Sequence, residues 1–282
     1  MSVRIAIVTQ AEVVGTGIDV DEPLLAAALE ARGAEPELWP WERGAEGLEH
    51  VALAVVRSTW NYHLHLPAFL QFLDAAATRT TLVNPLAALR MNVHKGYLLG
   101  LSAAGVPVIP TTLVPQASSA AGSSGALPAG PLVIKPAVSG GAWETRFFEH
   151  GDEAAHAFLA ASVSARDTLV QPWLPGFASP GELNLVWIDG EVMHGVRKRP
   201  PEGLPDQAVT PLAHLDPAAV ALAHAAVATL PPGCVYVRID MVPHEGSFLV
   251  SELEATEPSL YLREGSGASV ARFADALVRH AQ

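Results

Sequence analysis

Two apolar runs near the C-terminus, VYVRIDMV (Val235 to Val242) and SFLVSELEATEPS (Ser247 to Ser259), read as strands, yet each carries acids where a buried strand is ordinarily apolar. Glu252 and Glu254 are two apart, so an extended chain projects both side chains from one face. Pro243, Glu245 and Gly246 give the connection turn chemistry. A hairpin centred near Gly246 sets Asp240 opposite Glu252, to within one residue of register. Like charges facing each other destabilise a strand pair, and carboxylates desolvated in apolar strands need compensation. A divalent cation removes both penalties, and a few hard oxygen ligands suit Mg2+. The bland alternative is the solvated face of an edge hairpin.

The 282 residues can bury a large core divided into one to three units. Half are apolar and 16% are charged, which excludes a disordered chain. A net charge of -12 argues against a general nucleic-acid or anionic-membrane surface, so a polyphosphate would need a local cluster of Lys and Arg. Cys234 is the single cysteine, which leaves no intramolecular disulfide or Cys-based zinc site. The sequence shows no leader pattern and no long apolar run, and the expected location is the cytoplasm.

Along the chain, VRIAIVT (Val3 to Thr9) predicts a buried strand and PLLAAALEARG (Pro23 to Gly33) a helix. VALAVVRS (Val51 to Ser58) predicts a strand, and Pro67 to Ala77 a helix. This small α/β unit ends at Asn84-Pro85. A second region opens with one helix over Leu89 to Gly105 and a strand over Val108 to Val114. The stretch Gln116 to Gly130 reads as a loop, PLVIKP (Pro131 to Pro136) as a strand, and Asp152 to Ser162 as a helix. A third region opens with TLVQPWL (Thr168 to Leu174). It continues with strands at Leu183 to Ile188, Glu191 to Val196, Tyr236 to Val242 and Phe248 to Leu253, and a helix over Ala268 to Ala281 closes it.

Lys135 lies in an apolar strand and the small-residue segment VSGGA (Val138 to Ala142) follows it. A buried lysine keeps its charge only beside anions, and small residues let backbone N–H groups approach a phosphate. The pair reads as a nucleotide clamp, against a lysine that merely snorkels out at a turn. Lys95, Arg197, Lys198, Arg199 and Arg238 are further cations available to stabilise phosphoryl transfer, which is largely positioning and charge stabilisation.

In this order the motifs resemble the ATP-grasp superfamily of carboxylate-amine ligases, from Leu89 to the C-terminus. The resemblance implies an α/β ATP-grasp fold: an N-terminal α/β domain (1–88), a lid subdomain (89–167) and a C-terminal subdomain with the metal site (168–282), ATP and Mg2+ being held between the last two. It implies Lys95 and Lys135 as nucleotide lysines, with Ser139, Gly140 and Gly141 as the loop over the phosphates. Gln171, Trp173 and Leu174 fall in the linker that meets adenine, and Glu182 matches the acid on the ribose. Arg238, Arg197 and Lys198 fall at the transferring phosphoryl group, and Asp240, Glu252 and Glu254 on the metal. Gln171 stands where many members have Glu, and Glu254 where Asn is commoner.

RSTWNY (Arg57 to Tyr62), Asn84-Pro85, VRKRP and ELEATEPSLYL (Glu252 to Leu262) resemble the glutathione-synthetase-like group that includes O-ureido-D-serine cyclo-ligase. The resemblance implies that ATP converts a small-molecule carboxylate to an acyl phosphate, which an amine of the same or a second molecule attacks. Arg57, Trp60, Asn61, Tyr62 and Ser259 then face the acceptor pocket, the alternative being a structural loop packed by two aromatics. A homodimer is compatible with the sequence.

No Walker-type phosphate loop, G-x-G-x-x-G or G-x-S-x-G occurs. His63 and His65 lack a third metal ligand nearby in sequence. Two rivals stand beside a ligase: a regulatory protein that binds ATP without turnover, and a kinase-like reaction that stops at the phosphorylated product. Arg238 and three metal-binding acids exceed what binding alone needs.

Overall fold

The computed structural model describes residues 2–11, 19–117, 127–199 and 208–282. Ile5, Ala6, Ile7 and Val8 are all inaccessible, the mark of a parallel strand covered on both faces. β1 (Val3–Thr9), β2 (Ala34–Pro40), β3 (Leu53–Val56) and β4 (Thr81–Val83) make a parallel sheet in the order β2-β1-β3-β4. α1 (Glu22–Glu30) covers one face through Leu25 and Leu29, and α2 (Leu66–Ala77) covers the other through Phe69 and Leu73. β2, with Pro36 and Pro40 and two glutamates, has no strand-like alternation; it is an edge strand, where proline is tolerated.

The helix expected over Leu89 to Gly105 is two helices, α3 (Leu86–Asn92) and α4 (Tyr97–Ala103). The break falls at residues 93–96, where β-branched Val93 and Gly96 have weak helix propensity. There the Lys95 N–H donates to the Ala137 carbonyl at 2.7 Å, a long-range bond that replaces a helical one.

β5 (Thr112–Val114), β6 (Leu132–Pro136), β7 (Arg146–Phe148) and β8 (Thr168–Pro172) form an antiparallel sheet in the order β5-β8-β6-β7. α5 (Glu153–Ala165) packs on it through Ala155, Leu159 and Val163, and its N-cap Asp152 accepts from the Ala154 N–H. Thr168 to Pro172 therefore pairs within the second sheet, although the sequence division put it at the start of the third unit; alternation identifies a strand but not its sheet. The predicted strand over 108–114 shrinks to Thr112–Val114 plus one bridge from Val108 to Val250. Of the expected loop Gln116 to Gly130, residues 118–126 lie outside the described residues.

β9 (Glu182–Ile188), β10 (Glu191–Arg199), β11 (Ala208–Pro211), β12 (Tyr236–His244) and β13 (Ser247–Glu254) form the third sheet, antiparallel, in the order β11-β10-β9-β12-β13. α6 (Pro217–Val227), for which the sequence reading had no element, presents Ala219, Ala223 and Ala226 to one face. These pack with Leu185, Val237 and Ile239 of the sheet and with Leu98 and Leu101 of α4. The C-terminal helix α7 (Gly267–His280) lies between the first and third sheets, where Phe273 and Leu277 share a core with Ile5, Leu53, Ile188 and Tyr236. Among the described residues, no helix is long and apolar enough to cross a membrane.

Candidate active site

Strand alternation gives the third sheet one apolar face, against α6 and α4, and one face with a charged end. On β12 the charged side chains are Arg238 and Asp240, on β13 Glu252 and Glu254, on β9 Glu182, and on β10 Lys198. The hairpin register aligns Asp240 with Glu252 and Arg238 with Glu254, as the turn chemistry predicts, and a bulge follows Asp240. β9 sets Asn184 beside Asp240, and β10 pairs Lys198 with Glu182.

Ligand atoms of Asp240, Glu252 and Glu254 lie within 4.8 Å of one another. Three carboxylates this close repel, and three cations hold them together. The Arg238 guanidinium forks onto Asp240 (Nε to Oδ1 2.7 Å, Nη2 to Oδ2 2.8 Å) and reaches Glu254 at 2.6 Å. Lys135 Nζ lies 2.6 Å from Glu252, and Lys95 Nζ 3.7 Å from its other oxygen. Burial alone would raise the Glu252 pKa, but Lys135 and Lys95 outweigh it and hold the group well below the carboxylate range. Burial, with Asp240 and Glu252 nearby, pushes Glu254 up to about 7 despite Arg238. An all-carboxylate donor set of this span fits a hard cation such as Mg2+.

Lys95 Nζ also donates to the Ser139 carbonyl at 2.9 Å and so ties α4's leading break to the glycine loop. Burial opposes its charge, yet Glu252, Glu254 and Glu257 raise its pKa. Gly140 lies against the N-terminal domain: a Cβ there would sit 3.2 Å from His63 Nδ1 and 3.3 Å from the Trp60 carbonyl. Glu182 accepts from Ser251 Oγ at 2.7 Å and lies 3.7 Å from Lys198; burial first, then Asp240, raises its pKa.

These groups line a cleft of 780 Å3 between the second and third sheets, with Trp60 and Tyr62 of the first unit at one wall. Lys95, Lys135, Ser139, Gly140, Gly141, Gln171, Trp173, Glu182, Lys198, Arg238, the three acids and Ser259 all reach it. The Trp173 ring stacks on Phe177 at 5.1 Å, and its main-chain N–H donates to the Pro131 carbonyl.

Four expected residues do not line this cleft. Leu174 packs with Ile109 and Val242. Arg197 sits on the opposite face of β10 from Lys198, and its Nη1 donates to the Gly181 carbonyl at 3.4 Å. Asn61 accepts from Trp41 Nε1 at 2.7 Å and donates to Glu42. Arg57 is 1% exposed, lies 3.6 Å from Asp19 and covers the rings of Tyr236 and Phe273. In RSTWNY the two aromatics alone face the cleft, because the segment leaves β3 as an irregular turn that strand alternation cannot describe.

Sequence reasoning also missed Asn92, Tyr97, Tyr261 and Glu257, which line the same space. Glu257 lies inside the quoted ELEATEPSLYL but beyond the end of β13, so no periodicity marks it. The Trp60 Nε1–H donates to its main-chain carbonyl at 2.9 Å. Burial, then Glu254, pushes its carboxyl up to about 8, with Lys95, Arg238 and the Tyr62 hydroxyl opposing.

The family profile described as "D-cycloserine synthetase DcsG, N-terminal domain" matches residues 5–84. The cycloserine biosynthesis protein DcsG of Streptomyces lavendulae is 30% identical over 295 residues, which span 97% of this chain and 97% of that one. The chain belongs to the D-cycloserine synthetase family of ATP-grasp ligases. The crystal structure of D-cycloserine synthetase DcsG superposes with a TM-score of 0.87 at 29% identity, covering 99% of this chain and 100% of that one. The ATP-grasp ligase PsnB, complexed with a phosphomimetic variant of its minimal precursor, Mg and ADP, shares the fold (TM-score 0.69, 19% identity, 99% and 98% covered). As a member of this family the chain is an ADP-forming ligase that uses ATP and Mg2+, activates a carboxylate as an acyl phosphate and forms an amide-type bond. That favours the enzyme over the ATP-binding regulator.

Proposed function

We propose that the chain activates the carboxylate of a small amino-acid derivative and closes it onto a nitrogen of the same molecule, with an O-ureidoserine as substrate. The observation that carries this reading is the acceptor wall. Trp60 and Tyr62 come from the unit that matches the D-cycloserine synthetase N-terminal domain, and these aromatics wall the cleft where an acceptor would enter.

The geometry supports the following roles. Lys135, Lys95 and the Ser139 to Gly141 loop hold the ATP phosphates; Gln171 and Trp173 flank the base, and Glu182 accepts from the ribose hydroxyls. Asp240, Glu252 and Glu254 would hold Mg2+, which neutralises charge on the phosphates when bound. A substrate carboxylate oxygen forms a bond to the γ-phosphorus as the bond to ADP breaks. The nitrogen then attacks the acyl carbon, loses its proton, and phosphate leaves with the C–O bonding pair. Arg238 and Lys198 stabilise the anionic charge of both steps, whereas Arg197, on the other face, serves the strand pairing. Consumption of ATP suits a cytoplasmic enzyme.

ADP and phosphate release with Mg2+ across O-ureidoserine, amino acids and dipeptides, with product masses read in parallel, tests the reading. Release with O-ureidoserine and a cyclised mass is expected; release only with two-substrate pairs would sink it. Lys135→Ala should lower kcat about 100-fold, the effect of one charge-stabilising donor. A lower melting temperature with normal turnover would instead assign Lys135 to structure.

A further inference from the structure

The cleft holds five carboxylates, and four are paired. Glu252 has Lys135 and Lys95, Asp240 and Glu254 share Arg238, and Glu182 has Lys198. Glu257 forms no ion pair among the described residues, although it lines the same cleft. Its main-chain carbonyl accepts from the Trp60 indole at 2.9 Å, and Tyr62 lines the cleft with it. A half-buried acid that lines the cleft without an ion pair of its own is matched to a cationic ligand, since a carboxylate gains a charge-assisted hydrogen bond from an ammonium group.

Its position says which cation. Arg238 Nη1 donates to the Ser259 carbonyl at 3.3 Å, two residues on from Glu257. The cleft therefore brings a guanidinium and a carboxylate without an ion pair of its own to the same stretch of chain. That is the charge complement of an α-amino acid.

We propose that Glu257, which lines the cleft with Trp60 and Tyr62, binds the substrate's α-ammonium group and so makes the enzyme selective for carboxylates that carry a free α-amine. This rests on the ligase reading and adds a specificity residue to it. The reacting nitrogen is a different one, so Glu257 orients the substrate without taking part in bond formation.

The test uses the full chain, wild type and Glu257→Gln, with O-ureidoserine and with the same compound lacking its α-amine. The glutamine keeps the main-chain contact to Trp60 and removes only the charge. Wild type should prefer the amino compound by about 100-fold in kcat/KM, the worth of one charge-assisted hydrogen bond. Glu257→Gln should lose most of that preference, read as a KM raised far more for the amino compound than for the desamino compound. Glu257→Asp should recover part of it. A preference that persists in Glu257→Gln, or an equal fall for both compounds, overturns the assignment. A wild type inert to both compounds overturns the substrate reading instead. Calorimetric titration of the same two compounds, which needs no turnover, then decides the ammonium site alone: tighter binding of the amino compound that vanishes in Glu257→Gln supports it, and equal or undetectable binding overturns it.

Discussion

Asp240→Asn should reduce ADP release with ATP, Mg2+ and O-ureidoserine by about 10³-fold, because catalysis of phosphoryl transfer is charge stabilisation at fixed positions. The fold should tolerate it. Asp240 shares Arg238 with Glu254, and the 2.6 Å contact to Glu254 remains when the aspartate charge is gone. Glu252→Gln should lose as much activity but behave differently on denaturation. Lys135 and Lys95, 10% and 11% exposed at their side chains, both face Glu252, and removing the anion strands two nearly buried cations. Breaking a buried pair costs about 3 to 5 kcal/mol. Steady-state kinetics and urea denaturation of the two variants side by side test this. Turnover unchanged in both would remove the metal assignment, and equal stabilities would mean that the lysines have another anion.

The contrast shows where the sequence is legible. A strand alternates, so three acids and an arginine in VRIDMV and LVSELE come with a face and, through the Gly246 turn, with a register, and the observed pairing of Asp240 with Glu252 follows. Lys135 was visible for the same reason. The helix over 89–105 was drawn too long because its apolar spacing continues across residues 93–96, while what breaks it is a bond from Lys95 to Ala137, more than forty residues away. The resemblance carried by RSTWNY takes Arg57 and Asn61 along with Trp60 and Tyr62, yet only the two aromatics line the cleft; adjacency in an irregular turn carries no information on direction. α6 and the pairing of β8 escaped because an alanine-rich helix has little amphipathic contrast and a short strand does not name its partner.

Asn84 illustrates the same limit. The Asn84-Pro85 step reads in sequence as a boundary, but the side chain is fully buried and makes four contacts to backbone across it. Nδ2 donates to the carbonyls of Tyr236 (2.8 Å) and Ala255 (2.7 Å), and Oδ1 accepts from the N–H groups of Val235 (2.7 Å) and Tyr236 (3.3 Å). At the far end of α3, Asn92 does the same with Leu253, Ala255 and Thr256. Two amides at the ends of one helix thus hold the start of β12 and the exit of β13, the strands that carry Arg238, Asp240, Glu252 and Glu254. Asn84→Ala should cost about 4 kcal/mol, since each buried backbone group left without a partner costs about 1 to 3 kcal/mol and the chain relaxes around some of them. Asn84→Asp should be no better, because the oxygen replacing Nδ2 would face two carbonyls. Denaturant midpoints of the two variants check this: a fall in both, with ADP release per folded molecule also reduced, is expected if the amide sets the hairpin's position. A stable Asn84→Asp would show that the carbonyl contacts contribute little and that the domain junction rests on the apolar core around Phe273 and Tyr236 instead.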